Sequence, residues 1–278
     1  MIDIYSVSFP KLGLSFNISP VAINIFGISI YWYGIIVCAG FLLGFLYSFF
    51  KAKLFKLDQN KFIDIAIFSM ITSIIGARFY YVTFCTDISY YLNNPIKIFA
   101  INEGGLAVYG GIILSVITAF ILCRAKNISI KKFLDVSSFG ILTGQSIGRW
   151  GNFFNQEAFG TKTDFILGMC SENTNNIAVH PCFLYESVWC ALGLIFLENI
   201  NRRKYTFNGQ LFLFYIFWYG LGRFFIEGIR TDSLMLPYTK IRVSQLVSLI
   251  LVFFSLLVFA FRSCSRKNKL KQKLRPKL

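Results

Sequence analysis

The sequence has a single histidine (His180) and no two cysteines at C-x-x-C spacing. Its seven cysteines, Cys38, Cys85, Cys123, Cys170, Cys182, Cys190 and Cys264, show no metal-ligand rhythm. A metal cluster needs several His or Cys ligands gathered at short spacing, so no metal and no other cofactor is expected. Charge is scarce as well: 15% of residues are charged and only 13 are acidic. Soluble domains carry roughly 25% charged residues. With 55% hydrophobic residues and a mean hydropathy of +0.60, the chain is neither an ordinary soluble globule nor a disordered polymer. The opening MIDIYSVSFPKLG lacks the basic n-region and early apolar core of a signal peptide, so the whole chain is read as mature.

What is abundant is apolar sequence in long runs. Segments at 28–50, 62–84, 105–123, 133–148, 182–200, 210–229 and 244–261 stand out, and a span needs about 20 residues. The fourth is short and polar (Ser137, Ser138, Thr143, Gln145, Ser146), and Gly140, Gly144 and Gly148 at four-residue spacing point to close helix packing there. A net charge of +15 would suggest nucleic acid in a soluble chain. Here the positions of the charges matter more. The turns at 51–61, 124–132 and 202–204 and the tail from Arg262 hold four, four, three and eight basic residues, nineteen of the 28. These fall on alternate ends of the spans, which sets the orientation. The expectation is an all-α, polytopic membrane helix bundle with seven transmembrane helices, the N-terminus outside and the C-terminus cytoplasmic. Residues 1–262 form one transmembrane domain, 149–181 a small periplasmic head, and 263–278 a basic cytoplasmic tail. The partner implied is a lipid bilayer, not a nucleic acid.

That topology brings four polar stretches to the outer side. GRWGNFFNQEAFG (148–160) combines helix-breaking glycines with Arg149, Asn152, Asn155, Gln156 and Glu157. Arginine presents a planar fork that fits phosphate or carboxylate. In WYGLGRFFIEGIRTD (218–232), Tyr219, Arg223, Glu227 and Arg230 share a sector of roughly 80° on a helical wheel. Two arginines against one glutamate leave a positive charge over, which suits an anion; the alternative is a self-satisfied ion-pair ladder facing the bundle. NEGGLAVYGG (102–111) carries Tyr109 between glycine pairs, and those pairs equally serve tight helix contact. HPCFLYE (180–186) offers His180, as a cap or a titrating group, and Glu186, a carboxylate that needs a partner such as arginine. YWYG (31–34) places Tyr33 in what by default is an aromatic belt. Arg78, in IGARFYY (75–81), sits about 9 Å below the outer end of its span by helical rise. It either snorkels to headgroups or joins Arg149, Arg223 and Arg230 in a site for an anionic lipid headgroup.

Taken together, these stretches resemble the prolipoprotein diacylglyceryl transferase family. GRWGNFFNQEAFG is similar to its signature, with Gly-Arg, Gly-Asn-Phe, Asn-x-Glu and a closing Gly, and YWYG, GGLAVYGG, HPCFLYE and YGLGRFFIEGIR follow in family order over most of the chain. The resemblance implies a cofactor-free enzyme of the bacterial cytoplasmic membrane, its active site facing the outer leaflet. It implies transfer of diacylglycerol from phosphatidylglycerol to the lipobox cysteine thiol of a prolipoprotein. A thioether forms and glycerol phosphate leaves. By matching position, Arg149 and Arg223 contact the phosphoglycerol, Asn152 and Glu157 shape the site, and Gly160 closes its loop. Tyr33, Tyr219, Glu227 and Arg230 hold the surrounding network, with Arg78, His180 and Glu186 also expected at the substrate. Tyr109 departs from the pattern, because some members carry His there, a candidate base. Tyrosine, with a pKa near 10, is a poor base. Tyr109 is therefore read as orienting the substrate while the arginines lower the thiol pKa, and His180 and Glu157 are the other candidate proton acceptors. The competing reading is a multi-pass transporter of a small anion, which predicts midplane polar residues and paired halves.

Overall fold

The structure, a computed structural model, describes residues 5–85, 88–100, 104–236, 239 and 241–273 of the 278. Asn102, Glu103, Lys240 and tail residues 274–278 lie outside the described residues. The helices are α1 (Trp32–Leu54), α2 (Gln59–Phe84), α3 (Ile88–Asn93), α4 (Val108–Ala125), α5 (Ile130–Asn155), α6 (Cys182–Arg203), α7 (Gln210–Ile229) and α8 (Val243–Lys273). The short strands are β1 (Tyr5–Phe9), β2 (Leu14–Ile18), β3 (Val21–Ile25), β4 (Ile28–Tyr31) and β5 (Cys170–Ser171). The chain divides into two compact units, Met1–Ser48 with Ser137–Leu278, and Phe49–Val136, and all five strands lie in the first.

Among the described residues, six helices are long and apolar enough to cross a membrane: α1, α2, α4, α6, α7 and the Val243–Arg262 part of α8. The chain is thus a mostly helical, multi-pass membrane protein. The fourth expected span lies inside α5, whose 26 residues correspond to about 39 Å at 1.5 Å per residue. Length is sufficient there; composition is not, and α5 is absent from the apolar set.

In the first unit the sequence reading carried no strands, and the structure shows two small sheets. β1 is central in the order β2-β1-β5, with Val7 opposite both Phe16 and Ser171. The 149–181 segment thus pairs with the first strands of the chain through β5. Val7, Phe9, Met169 and Phe183 form its buried cluster, with Phe153 packed against it. β3 and β4 make a second hairpin, whose turn residues Phe26 and Gly27 have φ of +50° and +81°. Two-residue hairpin turns favour such positive φ because their twist matches that of the strands. Residues 28–31 are consequently strand, and the first helix starts at Trp32 instead of residue 28. Further along, α1 and α5 pack at glycines. A Cβ on Gly140 or Gly44 would strike the other's carbonyl oxygen, and one on Gly40 would lie 3.1 Å from the oxygen of Gly144. This bears out the close packing expected of Gly140 and Gly144, whereas Gly148 faces open space.

In the second unit, Asp58 caps α2, its carboxylate accepting from the amides of Asn60 (2.9 Å) and Lys61 (3.2 Å). Capping satisfies amides that have no partner inside the helix. α2 packs on α4 through Gly76 and Gly110, where a Cβ on Gly76 would stand 2.5 Å from the oxygen of Gly110. Gly111 lies against Ser73 in the same seam. Of the two glycine pairs in 102–111, Gly110 and Gly111 thus serve close helix approach, whereas Gly104 has nothing near it and Gly105 lies against Arg78 and Tyr81.

Candidate functional site

The polar centre of the first unit is built on α5, α6 and α7. The last two are locked by a reciprocal bracket. Trp189 and Trp218 stack at 4.4 Å between ring centroids, and each indole N–H donates to the other's backbone oxygen at 2.8 Å. Gly193 lies against Trp218 and Gly222 against Trp189, and a Cβ on either glycine would collide with the indole. Because helices that pack this way hold their facing side chains in fixed register, residues one turn away are fixed too. Glu186 is about one turn before Trp189, and Arg223 follows Gly222 directly. The end of α5 is tied to α6 by Trp150 Nε1 donating to Ser187 Oγ (3.1 Å) and by Ser187 Oγ donating to the oxygen of Ser146 (2.7 Å). Arg149 thereby comes to the same place.

Glu186, 3% exposed, is the hub. Its Oε2 lies 2.5 Å from Arg149 Nη2, and its Oε1 lies 2.6 Å from Arg223 Nη1 and 3.4 Å from Arg230 Nη1. Arg223 also reaches Glu227, with Nη2 2.7 Å from Oε2. Arg230 takes Asp232 with both sides of its fork: Nε to Oδ1 at 2.9 Å and Nη2 to Oδ2 at 2.6 Å. Arg242 donates to the backbone oxygen of Glu227. The positive charge that the sequence leaves over on α7 is therefore paired. Asp232 supplies the missing carboxylate, because the helix ends at Ile229 and the chain turns back on Arg230. The three guanidiniums differ in what remains. Arg230 has all three nitrogens engaged and its side chain is 11% exposed. Arg223, 17% exposed, keeps Nε. Arg149, 24% exposed, meets only Glu186 among the described residues and keeps most of its fork. The bidentate contact holds the Asp232 carboxyl below the usual carboxylate range.

Around this hub the signature loop is stapled down. Gly160 N donates to the oxygen of His180 (2.8 Å), Thr161 N to that of Ile229 (2.8 Å), and Gly160 bridges to Arg230 as an isolated antiparallel pair. A Cβ on Gly160 would meet His180 Cβ at 2.8 Å and Cys182 Sγ at 3.0 Å, so only glycine fits. Glu157 is exposed; its Oε1 accepts from Asn152 Nδ2 (2.8 Å) and Asn155 Nδ2 (3.4 Å), leaving Oε2 open. The Tyr33 ring packs on Gly151, where a Cβ would lie 2.8 Å from it. Tyr219 stacks on Tyr215 (5.9 Å) and shares a crevice with Glu186 and Arg223. His180 Nδ1 is 3.1 Å from the hydroxyl of Tyr185. Gln156, which the sequence names without a role, is 2% exposed with φ of +50°, and neither side-chain amide atom has a partner among the described residues. A left-handed non-glycine costs roughly 1–2 kcal/mol and a buried unsatisfied amide about 1–3 kcal/mol. Strain of this kind persists where surrounding structure enforces it.

Arg78 and Tyr109 belong to the second unit. Arg78 is 6% exposed. Its Nε donates to the oxygen of Ile98 (2.9 Å), its Nη1 to those of Gly104 (2.7 Å) and Gly105 (3.1 Å), and its Nη2 to that of Lys97 (2.6 Å). Gly105, at φ +71°, lies so close that a Cβ would stand 2.6 Å from Arg78 Nη1. Arg78 thus clasps backbone. Tyr109 is half-buried in the first turn of α4. The Trp189–Trp218 bracket, Ser187, Asp232 and the orphaned Gln156 amide escaped the sequence reading. Of these, Gln156 is named there as one polar residue of 148–160, and Asp232 only closes the 218–232 stretch.

The sequence model of the family described as prolipoprotein diacylglyceryl transferase matches residues 20–261. A Finegoldia magna protein named phosphatidylglycerol–prolipoprotein diacylglyceryl transferase is 44% identical over 232 residues, covering 84% of this chain and 91% of that protein. One of the same name from Clostridium novyi is 39% identical over 261 residues, covering 91% and 100%. Another, from Listeria monocytogenes, is 42% identical over 256 residues, covering 88% and 90%. The anion-transporter reading finds no support among these relatives.

Proposed function

The chain belongs to the prolipoprotein diacylglyceryl transferase family, and on that premise we propose that it moves the diacylglyceryl group of phosphatidylglycerol onto the lipobox cysteine thiol of a prolipoprotein. This is the first step of bacterial lipoprotein maturation. The thiolate attacks the glyceryl carbon bonded to the phosphate ester. A C–S bond forms, the C–O bond breaks, and its electron pair leaves on the phosphate oxygen of glycerol phosphate. The thiol proton must be removed and the phosphate's growing charge must be stabilised.

The observation that carries the reading is the convergence of Arg149, Arg223 and Arg230 on the buried carboxylate of Glu186. Glu186 holds three forks in the geometry that a phosphate oxyanion wants. The open part of Arg149 receives the phosphate, assisted by Arg223, while Arg230, locked by Asp232, and Glu227 keep the array rigid. Rigid, preformed donors stabilise developing charge without reorganising. The same guanidiniums favour the thiolate, and Glu157 Oε2, oriented by Asn152, takes its proton. Tyr33, Tyr219 and His180 line the substrate, Gly160 keeps the loop closed, and Tyr109 orients the substrate. Arg78 serves by fixing the backbone at Lys97, Ile98, Gly104 and Gly105, ahead of α4. Residues 1–262 act as one catalytic domain in the bacterial cytoplasmic membrane, and 263–278 as its basic tail. α5 is the seventh span, because without it the basic cluster at 202–204 and the tail would fall outside, against the positive-inside rule. That orientation puts the arginines at the outer leaflet, where a secreted precursor emerges. The test is direct: purified protein in phosphatidylglycerol vesicles with a lipobox peptide yields a diacylglyceryl mass gain on the cysteine. A full-length, folded protein that gives no gain overturns the assignment.

A further inference from the structure

The ion cluster borders a second polar tier that has no part in the chemistry above. Each helix feeding the cluster carries one further polar residue a helical turn away: Gln145 before Arg149 on α5, Cys190 after Glu186 on α6, and Tyr215 before Tyr219 on α7. Four residues of helix correspond to about 6 Å. These three meet one another. Gln145 Nε2 donates to the hydroxyl of Tyr215 at 3.2 Å, and Cys190 Sγ lies 3.9 Å from Gln145 Oε1. One amide therefore bridges the three helices that bring Arg149, Glu186 and Arg223 together. Amide bonds between helices can serve as plain glue. Here the bonded hydroxyl belongs to the ring that stacks on Tyr219, at 5.9 Å between centroids and 22° between planes. Tyr219 in turn lines the crevice of Glu186, Cys190 and Arg223.

We propose, resting on the transferase reading, that Gln145 is a positioning residue: through Tyr215 it fixes the Tyr219 ring beside Glu186 and Arg223, and so sets the geometry in which the arginines meet the phosphate. Stacking alone leaves a ring free to slide along its neighbour, and a directional hydrogen bond at the lower hydroxyl stops it. The same amide sits one turn before Arg149, and helical side chains lean toward the N-terminus, so the Arg149 side chain leans toward the turn that carries Gln145. Small misplacements of groups that hold a reacting substrate cost up to about a hundredfold in rate.

Removing both partners together tests this while sparing the fold. Replacing the two sides of a buried hydrogen bond by apolar groups of similar shape leaves stability nearly unchanged, so the double variant Gln145→Leu, Tyr215→Phe should keep the wild-type melting temperature. In phosphatidylglycerol vesicles with a lipobox peptide its kcat should fall about tenfold, while KM for phosphatidylglycerol stays within about twofold. Each single substitution should lose as much as the pair, because either one breaks the same bond. A second readout needs no turnover: NMR of the full-length protein in detergent with ring-labelled tyrosine. The Tyr219 resonance, identified by its loss in Tyr219→Phe, should shift in Gln145→Leu. Should the double variant unfold, Gln145→Leu alone carries both readouts. Wild-type kcat in the variant overturns the proposal, as does a loss confined to KM for the lipid, which would make the pair a headgroup contact. An unmoved Tyr219 resonance overturns it too. A wild type without any transfer sinks the transferase reading, and the resonance then decides alone: moved, the positioning role stands; unmoved, it falls.

Discussion

Two regions of this protein bury arginine and use it differently. In the first unit Arg149, Arg223 and Arg230 are held by carboxylates. In the second, Arg78 is held by four backbone carbonyls. A carbonyl cradle satisfies the donors of a guanidinium and fixes a loop, but offers no anion that a substrate replaces. A carboxylate partner is chemically close to a phosphate, so the same nitrogens can be shared with or handed to an anionic lipid. Burial alone does not separate these cases; the partner does.

That contrast can be broken experimentally, most severely at Arg149. Arg149→Ala should reduce transfer by about a thousandfold or more, the scale of losing a principal charge-stabilising donor, while membrane insertion is unchanged. Arg149→Lys should recover little, since lysine lacks the planar fork; full recovery would mean that charge alone matters. Arg78→Ala should act on the other side of the comparison. We expect faster proteolysis around Lys97–Ile98 and Gly104–Gly105 and a lower melting temperature, with transfer reduced about tenfold and KM for phosphatidylglycerol nearly unchanged. A large rise in that KM would place Arg78 with the anion-binding arginines.

Asp232→Asn should be milder, a fall of several-fold in transfer, because Arg230 keeps its 3.4 Å contact to Glu186. The sign of its pH effect follows from the depressed carboxyl. Asp232 contributes stability that is full above its unfolded value of about 3.9 and is lost as pH falls through the lower folded value. The wild-type rate should therefore show no acid limb from this pair above about pH 4, and the Asn variant should be reduced equally at every pH above that. The smallest effect is expected at Tyr109→Phe, which should leave turnover near normal. A loss of more than about a hundredfold, the scale of general acid–base catalysis, would give that hydroxyl a proton-transfer role.

Much of this was legible in the sequence because the signals are local. Runs such as 62–84 and 210–229 announce apolar helices directly, and α7 ends at Ile229 as expected. Glycines at i, i+4 on α5 announced their seam because close approach needs them repeatedly on one face. The signature 148–160 could be read because its polar residues are contiguous. What could not be read is relational. Val7 pairs with Ser171 across most of the chain, and neither short strand has enough alternation to be recognised alone. The indole bracket joins Trp189 to Trp218, each of which looks like ordinary apolar filling by itself. Asp232 matters only once the helix stops and turns it toward Arg230, and Gln156 is unusual only by its burial and backbone. α5 remains polar because its serines face neighbouring helices, as Ser146 does at Ser187, so hydropathy undervalues it.

The central claim is that the phosphate of the lipid substrate meets the Arg149 and Arg223 forks. Solid-state NMR of guanidinium-labelled protein in phosphatidylglycerol bilayers measures this through phosphorus–nitrogen dipolar couplings. The account predicts strong couplings to Arg149 and Arg223, consistent with N···O contacts of about 2.8 Å, and none to Arg78. Coupling to Arg78 with silence at Arg149 would contradict it.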